Sequence, residues 1–292
     1  MRLLWLQGIT CNGNSHSFFN HPQLFAILQP YTIVWHPLIE GTHTLSEVLH
    51  DDLSCDVLVL EGAFRTHGHT KEGVEVYARA LFYARKARYV ITAGTCASFG
   101  GLFAKYDPEH VRGFGFTNET LHLEEVAIRS RLITLSGCPI HPEWLGYVLR
   151  MIAEGRPIAR DRLFRPRDLY APTVHTGCVR NEYFEWKIDR YSWGEREGCM
   201  FYEQGCQGPY TRGSCNTIPW NEVSSKTTVG TPCFGCTEPD FPRAQLWETP
   251  TRMGIPVRVP LGISKRAYLS LTGVAKSFKI KRLHERMSDY DD

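Results

Sequence analysis

A chain of 292 residues, 42% of them hydrophobic, is long enough to bury a substantial core, and its length suits two domains. Lys and Arg number 33 against 31 Asp and Glu, so the net charge is only +2 and no broad basic field marks a nucleic-acid partner. The longest apolar runs, such as Val57–Leu60, are strand-sized, and none reaches the length of a membrane-spanning helix.

The N-terminus, MRLLWLQG, opens directly on a strand at Leu3–Gln7. It shows no twin-arginine leader and no apolar signal region, and Met1 argues against a cleaved leader, so a cytoplasmic location is expected. Further strands are predicted at Tyr31–Trp35, Val57–Glu61, Arg88–Ala93 and Leu132–Ser136. Helical patterns lie at Ser17–Leu28, Thr70–Lys86 and Glu143–Ala153. This alternation predicts an α/β fold with a flavodoxin-like parallel sheet. The strands end in turns of small residues, among them GITCNGN, EGAF, AGTCASFGG and SGCPIHP. Ligands of open α/β sheets bind beyond the carboxyl ends of the strands, so Cys11, Cys96 and Cys138 are expected to converge there.

Beyond about residue 160 the periodicity fades, and Gly, Pro, Cys and aromatic residues dominate from Tyr170 to Pro242. Such a segment lacks the apolar repeats of a conventional core, and metal ligation can supply the missing folding energy. The chain is therefore divided into a sheet domain at 1–160 and an irregular, cluster-binding domain at 161–292. Near its end, KRAYLSLTGVAKSFKIKRLHERM is basic and partly amphipathic. It reads as a solvated or docking helix in preference to a membrane-surface one, because it holds few large apolar residues.

Ten cysteines in a reducing compartment read as metal ligands in preference to disulfides. Nine fall into three groups: Cys11, Cys96 and Cys138; Cys178, Cys199 and Cys206 behind His175; and Cys215, Cys233 and Cys236. Thiolates select zinc or iron–sulfur clusters, and imidazole can replace one thiolate, so three groups suggest three clusters in series for electrons. The Cys233–Cys236 pair alone fits zinc equally well, which leaves a structural zinc-binding interaction module as the alternative reading. Cys55 has no partner nearby and reads as an inert core thiol. His67 and His69 read as loop residues, and Glu61 as either a structural cap or a polar group at an interface.

Taken in order, these segments resemble the small subunit of a [NiFe] hydrogenase of the cytoplasmic uptake type, over nearly the whole chain. The resemblance rests on WLQG-x-x-C at Cys11, EG at Glu61, GTCASFGG at Cys96 and SGCPIHPEW at Cys138. It continues with HTGC at His175, GCQGP at Cys206, Cys215, and PCFGCTEPDF at Cys233 and Cys236. It implies a proximal cluster on Cys11, Cys96 and Cys138 and a medial [3Fe–4S] cluster on Cys215, Cys233 and Cys236. A distal [4Fe–4S] cluster would sit on His175, Cys178, Cys199 and Cys206. Asn14 stands where the family has a fourth proximal cysteine. The proximal cluster is then a [3Fe–4S], or a [4Fe–4S] with one non-cysteine ligand.

The implied activity is oxidation of dihydrogen to two protons and two electrons, with the electrons relayed through the three clusters to an acceptor. Catalysis would belong to the nickel site of a large subunit, the obligate heterodimeric partner, so no catalytic residue is expected in this chain. The family's nickel site uses two C-x-x-C pairs, and here only Cys233–Cys236 has that spacing. A hydrogen-sensing regulatory subunit of the same family ranks lower, because that branch keeps the cysteine pair that Asn14 breaks. Quinone-reductase relatives rank lower too, since they usually carry adjacent cysteines and lack the cysteine-rich second half. Any membrane association would come through partners.

Overall fold

The computed structural model describes residues 1–195, 197–243, 247–252 and 255–277. Five parallel strands form the central sheet: β1 (Arg2–Gln7), β2 (Thr32–Trp35), β3 (Val57–Glu61), β4 (Tyr89–Ala93) and β5 (Leu132–Leu135). Each lies within one residue of its predicted bounds. Their spatial order is β2-β1-β3-β4-β5, the flavodoxin-like arrangement that the sequence pattern predicts.

Both faces of the sheet are covered, which explains why its strands read as near-continuous apolar runs. Alternate residues point to opposite faces. Leu4, Leu6, Leu58 and Leu60 pack on one side with Val48 of α3 (Leu45–His50) and Ala80 and Tyr83 of α4 (Val76–Lys86). Leu3, Trp5, Val57 and Val59 pack on the other with Phe18 of α1 (Gly13–Phe19) and Ile27 of α2 (Leu24–Leu28). The opposite placement of these helices follows from right-handed crossovers, since the chain runs from β1 to β2 in one direction and then from β2 past β1 to β3 and β4 in the other. Between β4 and β5 lie α5–α7 (Thr95–Phe99, Gly101–Tyr106 and Val126–Arg129), and α8 (Pro142–Ala153) follows β5.

Two predicted helices differ from the structure. The pattern over 17–28 resolves into α1 and α2, broken between Asn20 and Gln23. Pro22 has no N–H to give a helix there, and His21 turns away to meet Glu143 at 2.9 Å. The pattern over 70–86 becomes helical only at Val76. Before it, Thr70–Lys71 pairs antiparallel with Val74–Glu75 around Glu72 and Gly73, both at positive φ.

Among the described residues the second half holds few regular elements: α9 (Arg167–Tyr170), α10 (Asn181–Trp186), a 3-10 turn at Gly208–Tyr210, a short hairpin, and α11 (Lys265–Ser277). Buried polar contacts tie it to the sheet. Trp144 donates to Ser214 Oγ at 2.9 Å, and Tyr170 donates to the Ser136 carbonyl at 2.7 Å. The predicted basic helix is described only to residue 277. Within α11, Tyr268 is buried against Phe184 and Phe201 and shares a 2.6 Å hydrogen bond with Tyr202, which is the behaviour of a docking helix. Residues 278–287 of that segment lie outside the described residues. Among the described residues no helix is long and apolar enough to cross a membrane.

Candidate metal centres

Strand registers place Gln7, Glu61, Ala93 and Leu135 in one row at the carboxyl edge of the sheet. The turns that leave this row carry Cys11, Cys96 and Cys138. The Cys11 turn is clamped to the turn after β3 by paired bonds, Ile9 N–H to the Ala63 carbonyl at 2.7 Å and the reverse at 2.9 Å. That approach requires Gly62, at φ +86°, because a Cβ there would stand 2.4 Å from the Ile9 carbonyl oxygen.

Beneath the row lies the wholly buried carboxylate of Glu61. Oε1 accepts from the amides of Asn14 and Ser15 at 3.0 and 3.2 Å. Oε2 accepts from Trp5 Nε1 at 3.0 Å, Gln7 Nε2 at 3.1 Å and Ser15 Oγ at 2.6 Å. Helix α1 begins after Asn12 in a left-handed conformation without a side-chain cap. Glu61 therefore supplies from β3 the acceptor that the helix start lacks. Burial opposes ionisation of Glu61, but the bonds from Ser15, Gln7 and Trp5 outweigh it and hold its pKa below the usual 4.5. The structural-cap reading of Glu61 is the one this geometry supports.

Cys96 is half-buried, its thiol approached by the amides of Leu102 and Phe103 and close enough to Cys11 to be perturbed by it. Cys138 is open to solvent on one side and densely surrounded on the other. Burial, then the neighbouring thiols of Cys236, Cys96 and Cys11, push it up to about 12. Asn14 sits among these loops. Its Oδ1 accepts from the Ile140 amide at 2.9 Å, and its side chain rests where Gly94, at φ +90°, leaves room.

Cys215, Cys233 and Cys236 line a second site, a cavity of about 560 Å³ that also reaches Cys138 and is walled by Trp220 and Phe234. Burial first, and then neighbouring thiols, raise Cys215 and Cys233. Lys226 stands nearby with its ammonium 4.7 Å from the Phe234 ring and acts on Cys138, Cys215 and Cys236.

His175, Cys178, Cys199 and Cys206 line one small cavity together. The His175 ring stacks edge-on to Phe184 at 4.4 Å, and burial, helped by Lys187, lowers its pKa to about 4, so the imidazole is neutral at pH 7. Burial pushes Cys199 and Cys206 up to about 12. Sequence reasoning passed over Arg180, two residues past Cys178. It is buried, and its guanidinium donates to the carbonyls of Glu195, Glu197, Gly198 and Thr227 at 2.6–2.9 Å, gathering two stretches of loop around the cavity. The HTGCVR run was its only signal.

These residues fit iron–sulfur groups chemically. The donor sets are thiols with one imidazole, and backbone amides aim at sulfur: Arg180 N–H at Cys178 Sγ, 3.4 Å, and Cys233 N–H at Cys206 Sγ, 3.3 Å. A bound cation inverts the effect of burial, since a coordinating thiol is deprotonated outright. Among the described residues no three His, Cys, Asp or Glu side chains converge closely enough to ligate a single ion. Elsewhere, Cys55 is buried in the core with its thiol raised to about 12, in keeping with an inert residue. His67 is exposed and His69 half-buried in the turn between β3 and α4.

A flavodoxin-like sheet with cysteines on its carboxyl edge, followed by a cysteine-rich second half, defines an iron–sulfur electron-transfer protein. Residues 170–247 match the family of C-terminal regions of NiFe/NiFeSe hydrogenase small subunits, and residues 11–152 match NADH ubiquinone oxidoreductase, 20 Kd subunit. The chain is 36% identical over 257 residues to periplasmic [NiFe] hydrogenase small subunit 1 of Nitratidesulfovibrio vulgaris, covering 82% of this chain and 78% of that one. It is 28% identical over 279 residues to the periplasmic [NiFeSe] hydrogenase small subunit of Desulfomicrobium baculatum, covering 82% and 84%. Its fold matches a chain of the actinobacterial-type NiFe-hydrogenase from Ralstonia eutropha with a TM-score of 0.71 at 23% identity, over 95% of this chain and 90% of that one. The chain belongs to the [NiFe] hydrogenase small-subunit family.

Proposed function

We infer that this chain is the electron-relaying small subunit of a cytoplasmic uptake [NiFe] hydrogenase, working as a heterodimer with a nickel-bearing large subunit. When bound, three clusters would carry electrons released from dihydrogen at that subunit's nickel to an acceptor at the surface. Cys11, Cys96 and Cys138 would hold the proximal cluster, Cys215, Cys233 and Cys236 a medial [3Fe–4S], and His175, Cys178, Cys199 and Cys206 a distal [4Fe–4S]. The domain boundary near residue 160 belongs to the same reading.

The observation that carries it is the serial contact of the three groups. Cys138 shares a cavity with the second group, and the Cys233 amide touches Cys206 of the third. Exposure of Cys11 and Cys138 at the sheet edge supports a partner seated there, with the proximal group beneath it. The cytoplasmic location is part of this proposal, and both relatives named above are periplasmic by name.

Asn14 bears on the proximal cluster. An amide is a hard, weak ligand for iron, and its oxygen is already engaged by the Ile140 amide. This supports a [3Fe–4S] cluster on three cysteines. One negative thiolate fewer raises the potential and favours dihydrogen oxidation over its production.

Anaerobic purification with iron, nickel and dihydrogen-dependent dye reduction measured together tests the reading. Equal amounts of this chain and a larger nickel-containing subunit are expected, and tight nickel binding with activity in this chain alone would overturn it. In the oxidised heterodimer, electron paramagnetic resonance should count two [3Fe–4S] signals, and Asn14→Cys should convert the proximal one to [4Fe–4S] at lower potential. If that variant changes neither the count nor the potential, Asn14 does not face the cluster.

A further inference from the structure

The second and third ligand groups line separate cavities, and three residues border both: Val174, Asn216 and Thr227. They form the wall between the groups, and each belongs to a segment that carries a ligand. Val174 precedes His175, Asn216 follows Cys215, and Thr227 lies in the loop that leads to Cys233.

A single side chain fastens this wall. The Asn216 carboxamide donates from Nδ2 to the Val174 carbonyl at 2.6 Å and accepts at Oδ1 from Thr227 Oγ1 at 2.9 Å. Both ends of the amide are used, one as donor and one as acceptor, which sets its orientation. The outer partners are held in turn. Val174 N–H donates to the Thr211 carbonyl at 2.9 Å, and the Thr227 carbonyl accepts from Arg180 Nε at 2.8 Å. Val174 and Thr227 are buried, and Asn216 is half-buried.

The backbone shows the same close approach independently. Gly177, between His175 and Cys178, rests directly on the Asn216 peptide. A Cβ there would stand 2.6 Å from Thr217 Cγ2 and 3.0 Å from the Asn216 carbonyl carbon. The turn can meet the Cys215 loop this closely only because residue 177 has no side chain.

This contact shortens the connection between two ligands. Asn216 and Val174 stand 42 residues apart in the chain. From Cys215, however, the bonded route is one peptide, the Asn216 side chain, one hydrogen bond and the Val174–His175 peptide. An electron tunnels more readily along bonds, hydrogen bonds included, than across a van der Waals gap. The Cys233 amide on Cys206 Sγ, at 3.3 Å, is a parallel contact that ends on a thiol of the third group. The Asn216 bridge ends on its imidazole residue.

We propose that Asn216 is the positioning residue between the second and third groups: it fixes the His175 turn against the Cys215 loop and gives electrons a bonded route from one to the other. One electron passes at a time, the medial centre being oxidised and the distal one reduced, with no bond made or broken. Leucine at 216 would fill a similar space and lose both bonds, leaving the Val174 carbonyl without the donor it has here. Because the Cys233 contact remains, transfer should slow and not stop. The inference rests on the ligand assignment proposed above.

The test compares Asn216→Leu with the parent in the heterodimeric holoenzyme. Reduction by dihydrogen is freeze-quenched and followed by electron paramagnetic resonance, with iron content and both midpoint potentials measured on the same samples. The leucine variant is expected to keep its iron and both potentials, to reduce the medial centre at the parent rate, and to reduce the distal centre severalfold more slowly. Full iron with an unchanged distal rate overturns the proposal, and so does a slowing that shifted potentials account for. If the variant loses iron or its partner, Thr227→Val takes its place, since it removes only the hydroxyl that orients Asn216. It should slow distal reduction in the same sense, and an unchanged rate there also overturns the proposal. Failure of the underlying assignment looks different, since Cys215→Ser would then leave the medial signal intact.

Discussion

Replacing Glu61 by alanine should open the start of α1 and loosen the turn that carries Cys11. The carboxylate takes five donors inside the protein, and three of them, the amides of Asn14 and Ser15 and the Trp5 indole N–H, can only donate. A buried donor left without an acceptor costs about 1–3 kcal/mol. Three such groups, partly relieved by relaxation, give a loss of about 4 kcal/mol, at the extreme end of single substitutions. At ~1.4 kcal/mol per tenfold, hydrogen exchange of the amides over 14–19 should accelerate by roughly a thousandfold. Glu61→Gln should cost about half as much. Its oxygen still serves the two backbone amides, but its NH2 faces donors at Trp5 and Gln7. The lowered pKa sets the pH dependence: the stabilisation is complete above the ordinary pKa of 4.5 and is lost as pH falls through the lower folded value. Glu61→Gln should lack that acid-side decline. Exchange over 14–19 within tenfold of the parent in Glu61→Ala would refute the capping argument.

Two further outcomes are expected. His175→Ala should slow dye reduction while leaving hydrogen–deuterium exchange at nickel largely intact; an equal fall in both would make His175 structural. Gly94→Ala places a Cβ 2.4 Å from Asn14 Nδ2 in a backbone conformation reserved for glycine, so Asn14 must release the Ile140 amide. The cost of about 3 kcal/mol should lower the thermal midpoint by roughly 6–12 °C, and a change under 2 °C would mean the loop adapts freely.

The strands were legible in the sequence because each is a run of apolar residues buried on both faces and closed by a turn of small residues. Helix starts were less so. Periodicity over Thr70–Lys86 continues through a turn at Glu72 and Gly73 that only backbone conformation reveals. Glu61 carried two readings in the sequence, and the choice between them needed its five donors, which come from β1 and α1.

By itself, the sequence determined the sheet, the ten candidate ligands and their three groups, since strand pattern and ligand chemistry are local properties of residue type and spacing. Only the tertiary structure decided which groups touch and through which residues. Thr95 reaches Cys236 across 141 residues of chain, and Arg180 gathers carbonyls from loops with no pattern of their own. Such contacts depend on strand register and loop packing, which spacing along a single chain does not encode.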